Sequence, residues 1–356
     1  MNETPNPPTR KRRPWAVGVA AGLVLGIAVY TAWWWFLAER LRTGIEDWRA
    51  ERIEDGIDVA WSSLAIDGFP ATVRATVAAP RVAIPEAWRW ESGELILGLE
   101  ALNPAALTIQ ARGRHVVDVI RDGGAENIEL DAERLDGRVA RVADALSVTL
   151  GLDDVEVRKA GELQGRIEDM TLHLRQFDPP AESDPQALTP PVVFQMALTM
   201  TTEMTDPPAD WPFKDRASHI VLDSRILGDV DVPLNRARLA AWRDLGGVLE
   251  IDRFRLELGN LAFSGDGTVS LDGALQPVGA LSVRLQGFEK LIDALVISGQ
   301  LAAKDAGIIK GVLNLVAKID PGSGENVIDA AFTVQNRKLY LGPFELLKLR
   351  PIVWPD

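Results

Sequence analysis

The chain has 356 residues, 47% of them hydrophobic and 25% charged, so it can bury a sizeable core. Four of its 38 basic and one of its 51 acidic side chains fall in the first 37 residues, leaving a body with 34 basic and 50 acidic groups, a net charge of −16 that repels phosphate backbones and makes nucleic acid a poor partner. The absence of cysteine rules out disulfides, thiolate metal sites and cysteine nucleophiles, and the three histidines, His115, His173 and His219, lack metal-ligand spacing and read as ordinary strand or loop residues.

Residues 1–14 form a basic tail containing Arg10, Lys11, Arg12 and Arg13. An uncharged run of 25 residues follows, between Arg13 and Glu39. Residues 15–37 make a helix about 34 Å long at ~1.5 Å per residue, enough for a hydrocarbon core about 30 Å thick. The basic excess precedes the span, which predicts a membrane anchor with a cytoplasmic N-terminus and a main domain on the far side of the membrane. The run is longer than a signal-peptide core and ends in bulky indoles, so it reads as an uncleaved anchor. Trp15 at its inner end, with Tyr30, Trp33, Trp34 and Trp35 at its outer end, is predicted to form the membrane's aromatic belts.

Over residues 38–56 the apolar positions Leu41, Ile45, Trp48 and Ile53 recur every three to five residues, predicting an amphipathic helix that ends at Gly56 and uses Trp48 as a core anchor. From Ile57 the period becomes two. Val73, Ala75 and Val77 alternate with polar neighbours, as do Leu95, Leu97 and Leu99, then Leu107 and Ile109, then Leu146, Val148 and Leu150. Phe194, Met196, Leu198 and Met200, and later Leu281, Val283 and Leu285, repeat the pattern. Such runs between Gly, Pro, Asn and Asp breaks predict half-buried antiparallel strands. Residues 57–356 therefore read as a mainly β domain, one long meandering sheet that is curled or sandwich-like. Helices are expected only over 235–245, 288–296 and 306–319. Two polar, proline-containing segments, 179–191 and 205–216, are expected as loops dividing the domain into halves.

No Gly-x-Ser-x-Gly, phosphate-binding loop or dinucleotide fingerprint occurs. The Asp-Gly steps of 264–273 lack calcium-loop spacing and fit a hairpin turn. The reading is of a non-enzyme without cofactor or metal.

The turn Gly68-Phe69-Pro70 after Trp61, Gly246-Gly247-Val248-Leu249, the long segment 259–295 and the closing "KLYLGPFELLKLRPI" resemble the domain of unknown function 2125 family of Gram-negative, mainly alphaproteobacterial, envelope proteins. That family has no established activity. It is distantly similar to AsmA-like proteins, whose long sheets curl around an apolar groove and are implicated in phospholipid movement. The resemblance implies an envelope protein anchored in the inner membrane, with a periplasmic main domain that binds phospholipid in a groove, and the alternating residues Phe194, Met196, Leu198, Met200, Leu281, Val283 and Leu285 are its candidate lining. The alternative is a structural or interaction protein with a closed core and no ligand.

Overall fold

A computed structural model describes residues 14–121, 124–178, 189–205, 212–213, 216–229, 235–322 and 324–354. The two helical stretches read from the sequence are one helix, α1 (Pro14–Glu54), of 41 residues and about 60 Å. It is long and apolar enough to cross a membrane. Gly56 stops it: at φ 82° its N–H reaches Ile53 O at 3.0 Å while that of Ile57 reaches Arg52 O at 2.9 Å, a cap that favours glycine.

Four short strands follow, β1 (Asp58–Ala60), β2 (Ser63–Asp67), β3 (Thr72–Ala78) and β4 (Arg81–Ile84). Long ones succeed them: β5 (Trp88–Glu100), β6 (Asn103–Arg121), β7 (Gly124–Val142), β8 (Ala145–Lys159), β9 (Glu162–Phe177), β10 (Val192–Met204) and β11 (Ala217–Leu227). At 19 residues each, β6 and β7 extend about 60 Å at ~3.3 Å per residue. Helix α2 (Arg236–Asp244) is capped by the Asn235 side chain and leads through Gly246-Gly247 into β12 (Val248–Leu258), β13 (Leu261–Leu271) and β14 (Pro277–Gln286). Helices α3 (Phe288–Ile297) and α4 (Ala303–Val316) precede β15 (Lys318–Ile319), β16 (Asn326–Gln335), β17 (Lys338–Leu341) and β18 (Phe344–Lys348). The three short helices fall where the sequence places them.

All 18 strands among the described residues belong to one antiparallel sheet. β3 and β4 share one edge of β5, with β2 beside β3 and β1 beside β4. From β5 to β14 every strand pairs with its successor, and β14 passes to β16, β17 and β18. β9 pairs directly with β10 and β10 with β11, so the sheet runs unbroken across 179–216.

Register gives the sheet two unlike faces, because residues paired across strands share a face. One cross-strand row reads Ala75, Leu97, Ile109, Gly137, Leu150, Leu172, Leu198, Leu222, Phe254, Gly265, Val283, Ala330. It contains no polar side chain. The adjacent row, on the other face, includes Gln110, Asp136, Thr171, Thr199, Arg255 and Arg284. Cross-strand pairs such as Arg253 with Asp223, at 2.6 Å, decorate that polar face.

The apolar face is covered at its two ends by different helices. At the C-terminal end α3 and α4 close over β13, β14 and β16, burying Phe288, Ile292, Ile309, Leu313 and Ile328 in one core. At the N-terminal end α1 lies over β3 and its neighbours. Between them Leu150, Leu172, Leu198 and Leu222 are only half-buried.

Candidate functional site

The site begins where α1 meets the sheet. Trp34, Leu37, Ala38 and Leu41 keep helical spacing, so one stripe of the helix packs on Val73, Ala75 and Ala101. Three side chains fasten it. Tyr30 Oη donates to Pro70 O at 2.5 Å, Trp33 Nε1 to Ala101 O at 2.8 Å and Trp34 Nε1 to Thr72 O at 2.8 Å. These carbonyls lie at the ends of β3 and β5 and in the turns beside them. Gly68, Phe69 and Pro70 form the β2–β3 turn, with Gly68 at φ 102°, where a Cβ would stand 2.7 Å from Thr72 O.

Trp34, predicted for the outer aromatic belt, also joins α1 to the sheet. Its ring is 4% exposed, stands edge-on to Phe69 at 5.6 Å and has its N–H satisfied by protein, as a buried indole requires. Trp35 is exposed. The side chain of Trp15 lies outside the described residues, as do Arg10, Lys11, Arg12 and Arg13.

Beyond Leu37 a cavity of about 600 Å³ separates α1 from the sheet. The helix lends it Leu41, Gly44, Ile45 and Trp48; β5 lends Trp90, Leu95, Leu97 and Leu99; β6 lends Leu107 and Ile109. Its charged lining residues are Arg40 and Arg81. Arg81 pairs with Glu91 at 2.7 Å, and the Arg40 guanidinium lies 5.6 Å from the Phe36 ring centre. The volume suits a small ligand, and walls this apolar leave water without partners. Trp48, expected as a core anchor, is instead 46% exposed and lines this cavity. Leu97 and Ile109 belong to both the cavity wall and the apolar row, so the cavity lies on the same face of the sheet as that row.

The predicted lining residues separate into two groups. Phe194, Met196, Leu198 and Met200 are half-buried on β10, on the apolar face, opposite Leu174, Leu172 and Met170 of β9 and Leu222 and Ile220 of β11. Leu281, Val283 and Leu285 are corrected: α3 and α4 cover them, Val283 and Leu285 are buried, and Leu281 packs against the same closed core. The sequence reading identified the strands of Leu95, Leu97, Leu99, Leu107 and Ile109 without assigning them to a site. What would have singled them out is the stripe of α1, which needs an apolar partner surface.

His115 sits deep in the apolar face. It is 2% exposed on β6, its ring stacked on Trp90 at 6.1 Å, and neither ring nitrogen has a hydrogen-bond partner among the described residues. Burial pushes its pKa below the ordinary value, with Asp131 opposing. His173 and His219 lie in β9 and β11, where their ring nitrogens meet Thr149 and Thr201 at 3.1 and 3.4 Å.

No curated protein and no solved structure matches the chain. Residues 34–350 match the family described as uncharacterized protein conserved in bacteria (DUF2125). The match starts at Trp34, the residue that seats α1 on the sheet, and runs through β18 to Arg350. The chain therefore belongs to the DUF2125 family.

Proposed function

We propose that this protein is anchored in the inner membrane by α1, with its N-terminus cytoplasmic and its β domain periplasmic, and that it binds phospholipid acyl chains along the apolar face of its sheet. The role is binding, without catalysis. One observation carries the reading: a cross-strand row of apolar residues runs from Ala75 to Ala330, and among the described residues neither helix nor second sheet closes its middle into a core. A contiguous apolar surface of this kind on a soluble face marks a site for an apolar partner. The cavity under α1, beside the membrane-crossing part of the helix, gives that surface a lipid-side end. The basic residues 10–13 support the orientation. The AsmA-like character read from the sequence belongs to the same proposal.

Photolabelling tests it. The full chain is reconstituted with a phospholipid carrying a photoreactive group on its acyl chain and then digested. Label on β9 to β11 peptides bearing Leu172, Leu198 and Leu222 is the expected result. Label confined to α1 would leave the helix as a plain anchor and reject the acyl-chain role. A periplasm-only reporter fused after Asp356 that stays silent would overturn the orientation.

A further inference from the structure

The ties between α1 and the sheet have a geometric consequence. Tyr30, Trp33 and Trp34 lie inside the uncharged run that ends at Glu39. At ~1.5 Å per residue they stand about 8 to 14 Å along the helix on the membrane side of that first charge. Their partners, Pro70, Ala101 and Thr72, belong to one end of the sheet. That end must therefore share the depth of the helix residues it touches. We infer that the β2–β3 and β5–β6 turns are seated in the outer interface of the bilayer that α1 crosses, so that the sheet enters the membrane surface. This rests on α1 spanning the bilayer and goes beyond the acyl-chain reading.

Three features fit that position. The segments 68–73 and 101–109 carry no charge, and their tips present Phe69 at 52% and Leu102 at 82% exposure to the surroundings. An apolar turn tip next to a spanning helix removes that surface from water by entering lipid. Secondly, backbone carbonyls brought into the interface lose part of their water, and donors within the protein replace it. The aromatic N–H and O–H groups of α1 donate to Pro70, Thr72 and Ala101, so these carbonyls are satisfied. Thirdly, the flanking charges set a limit: Asp67 and Arg74 pair at 2.8 Å, and Glu100 precedes Ala101. Seating is shallow, at head-group level, where Trp and Tyr are favoured.

The chain lacks cysteine, so single-cysteine labelling needs no background removal. Leu102→Cys and Phe69→Cys, both at exposed positions, are labelled with an environment-sensitive fluorophore in the full chain, reconstituted in phosphatidylethanolamine–phosphatidylglycerol vesicles. Val24→Cys marks the span, and Glu162→Cys marks the opposite sheet end. The inference expects blue-shifted emission at Leu102, Phe69 and Val24, with quenching by nitroxide lipids, strongest at Leu102 and Phe69 for a shallow nitroxide. Glu162 should remain water-like. If Val24 is quenched while Leu102 and Phe69 behave as Glu162 does, the seating is overturned and the anchor stands. If blue shift at Leu102 appears without any nitroxide quenching, the tips dock on protein instead, which also overturns it. An unquenched Val24 removes the span itself, and the inference with it.

Discussion

Gly44 offers a way to fill the cavity from the helix side. It lines the cavity, and a Cβ built there meets nothing within 4 Å, so Gly44→Leu should enter the space without a clash. Two terms favour the variant. Replacing glycine inside a helix stabilises by about 0.5–1 kcal/mol. Fully burying a leucine side chain contributes about 1.5–3 kcal/mol, and because Gly44 itself is exposed at the cavity's edge about half of that is realistic. The variant should therefore be more stable by about 1.2–2.5 kcal/mol, read as a raised urea midpoint with unchanged slope for delipidated protein in detergent. The same side chain occupies volume an acyl chain would use, so retention of phospholipid should fall as stability rises. Opposite movement of the two readouts marks a binding site kept open at a cost in stability. A stabilised variant that keeps its full lipid complement would show that the cavity is a packing void which holds no acyl chain. A destabilised one would show that the space is not there.

Leu198 and Leu285 sit on the same face under different cover, and glutamine should separate them. Leu285→Gln, in the closed core, should cost about 2.5–6 kcal/mol from lost burial plus an unpaired amide, whereas Leu198→Gln, half-buried and reachable by water, should cost about 1 kcal/mol; equal costs in urea unfolding would contradict an open middle. Trp34→Ala should lower stability by about 3–5 kcal/mol, since it empties a buried ring's volume and frees Thr72 O, and a variant that unfolds like the parent would remove Trp34 from the contacts that seat α1 on the sheet. For His115 the sign follows from burial. Its folded pKa is lowered, so below about pH 6.5 the unfolded chain binds the proton more readily and stability falls as pH drops from that value toward the folded one. His115→Phe should remove this component, seen as a smaller difference in urea midpoint between about pH 7.5 and about pH 5.5; an unchanged difference would assign the pH dependence elsewhere.

Much of the architecture is written in local pattern. Alternation at Leu95, Leu97 and Leu99 or at Phe194, Met196 and Leu198 dictates strands, and the shift to helical spacing over 235–245 and 306–319 dictates the helices. Cover is not local. Leu198 and Val283 belong to one cross-strand row and to strands of identical alternation, yet the first is half-buried and the second lies under α3 and α4. Which strand a helix folds back upon depends on contacts far apart in sequence. The tryptophan triplet shows the same limit. An indole preferring a half-wet boundary suits a membrane interface and a protein interface equally, and only the carbonyl of Thr72, 38 residues away, decides Trp34. The cavity was hidden because its walls come from residues 37–48 and 59–109, two stretches that each read as ordinary helix or strand when taken alone.

If phospholipid occupies the apolar face, the intact complex carries its mass. Full-length protein extracted from its own membranes in mild detergent is measured by native mass spectrometry, beside the Leu198→Glu and Gly44→Leu variants. Phospholipid-sized adducts are expected on the parent chain, persisting after detergent is stripped, with fewer on both variants. A parent chain that arrives at its bare mass, or adducts equally abundant in all three proteins, would contradict that occupancy.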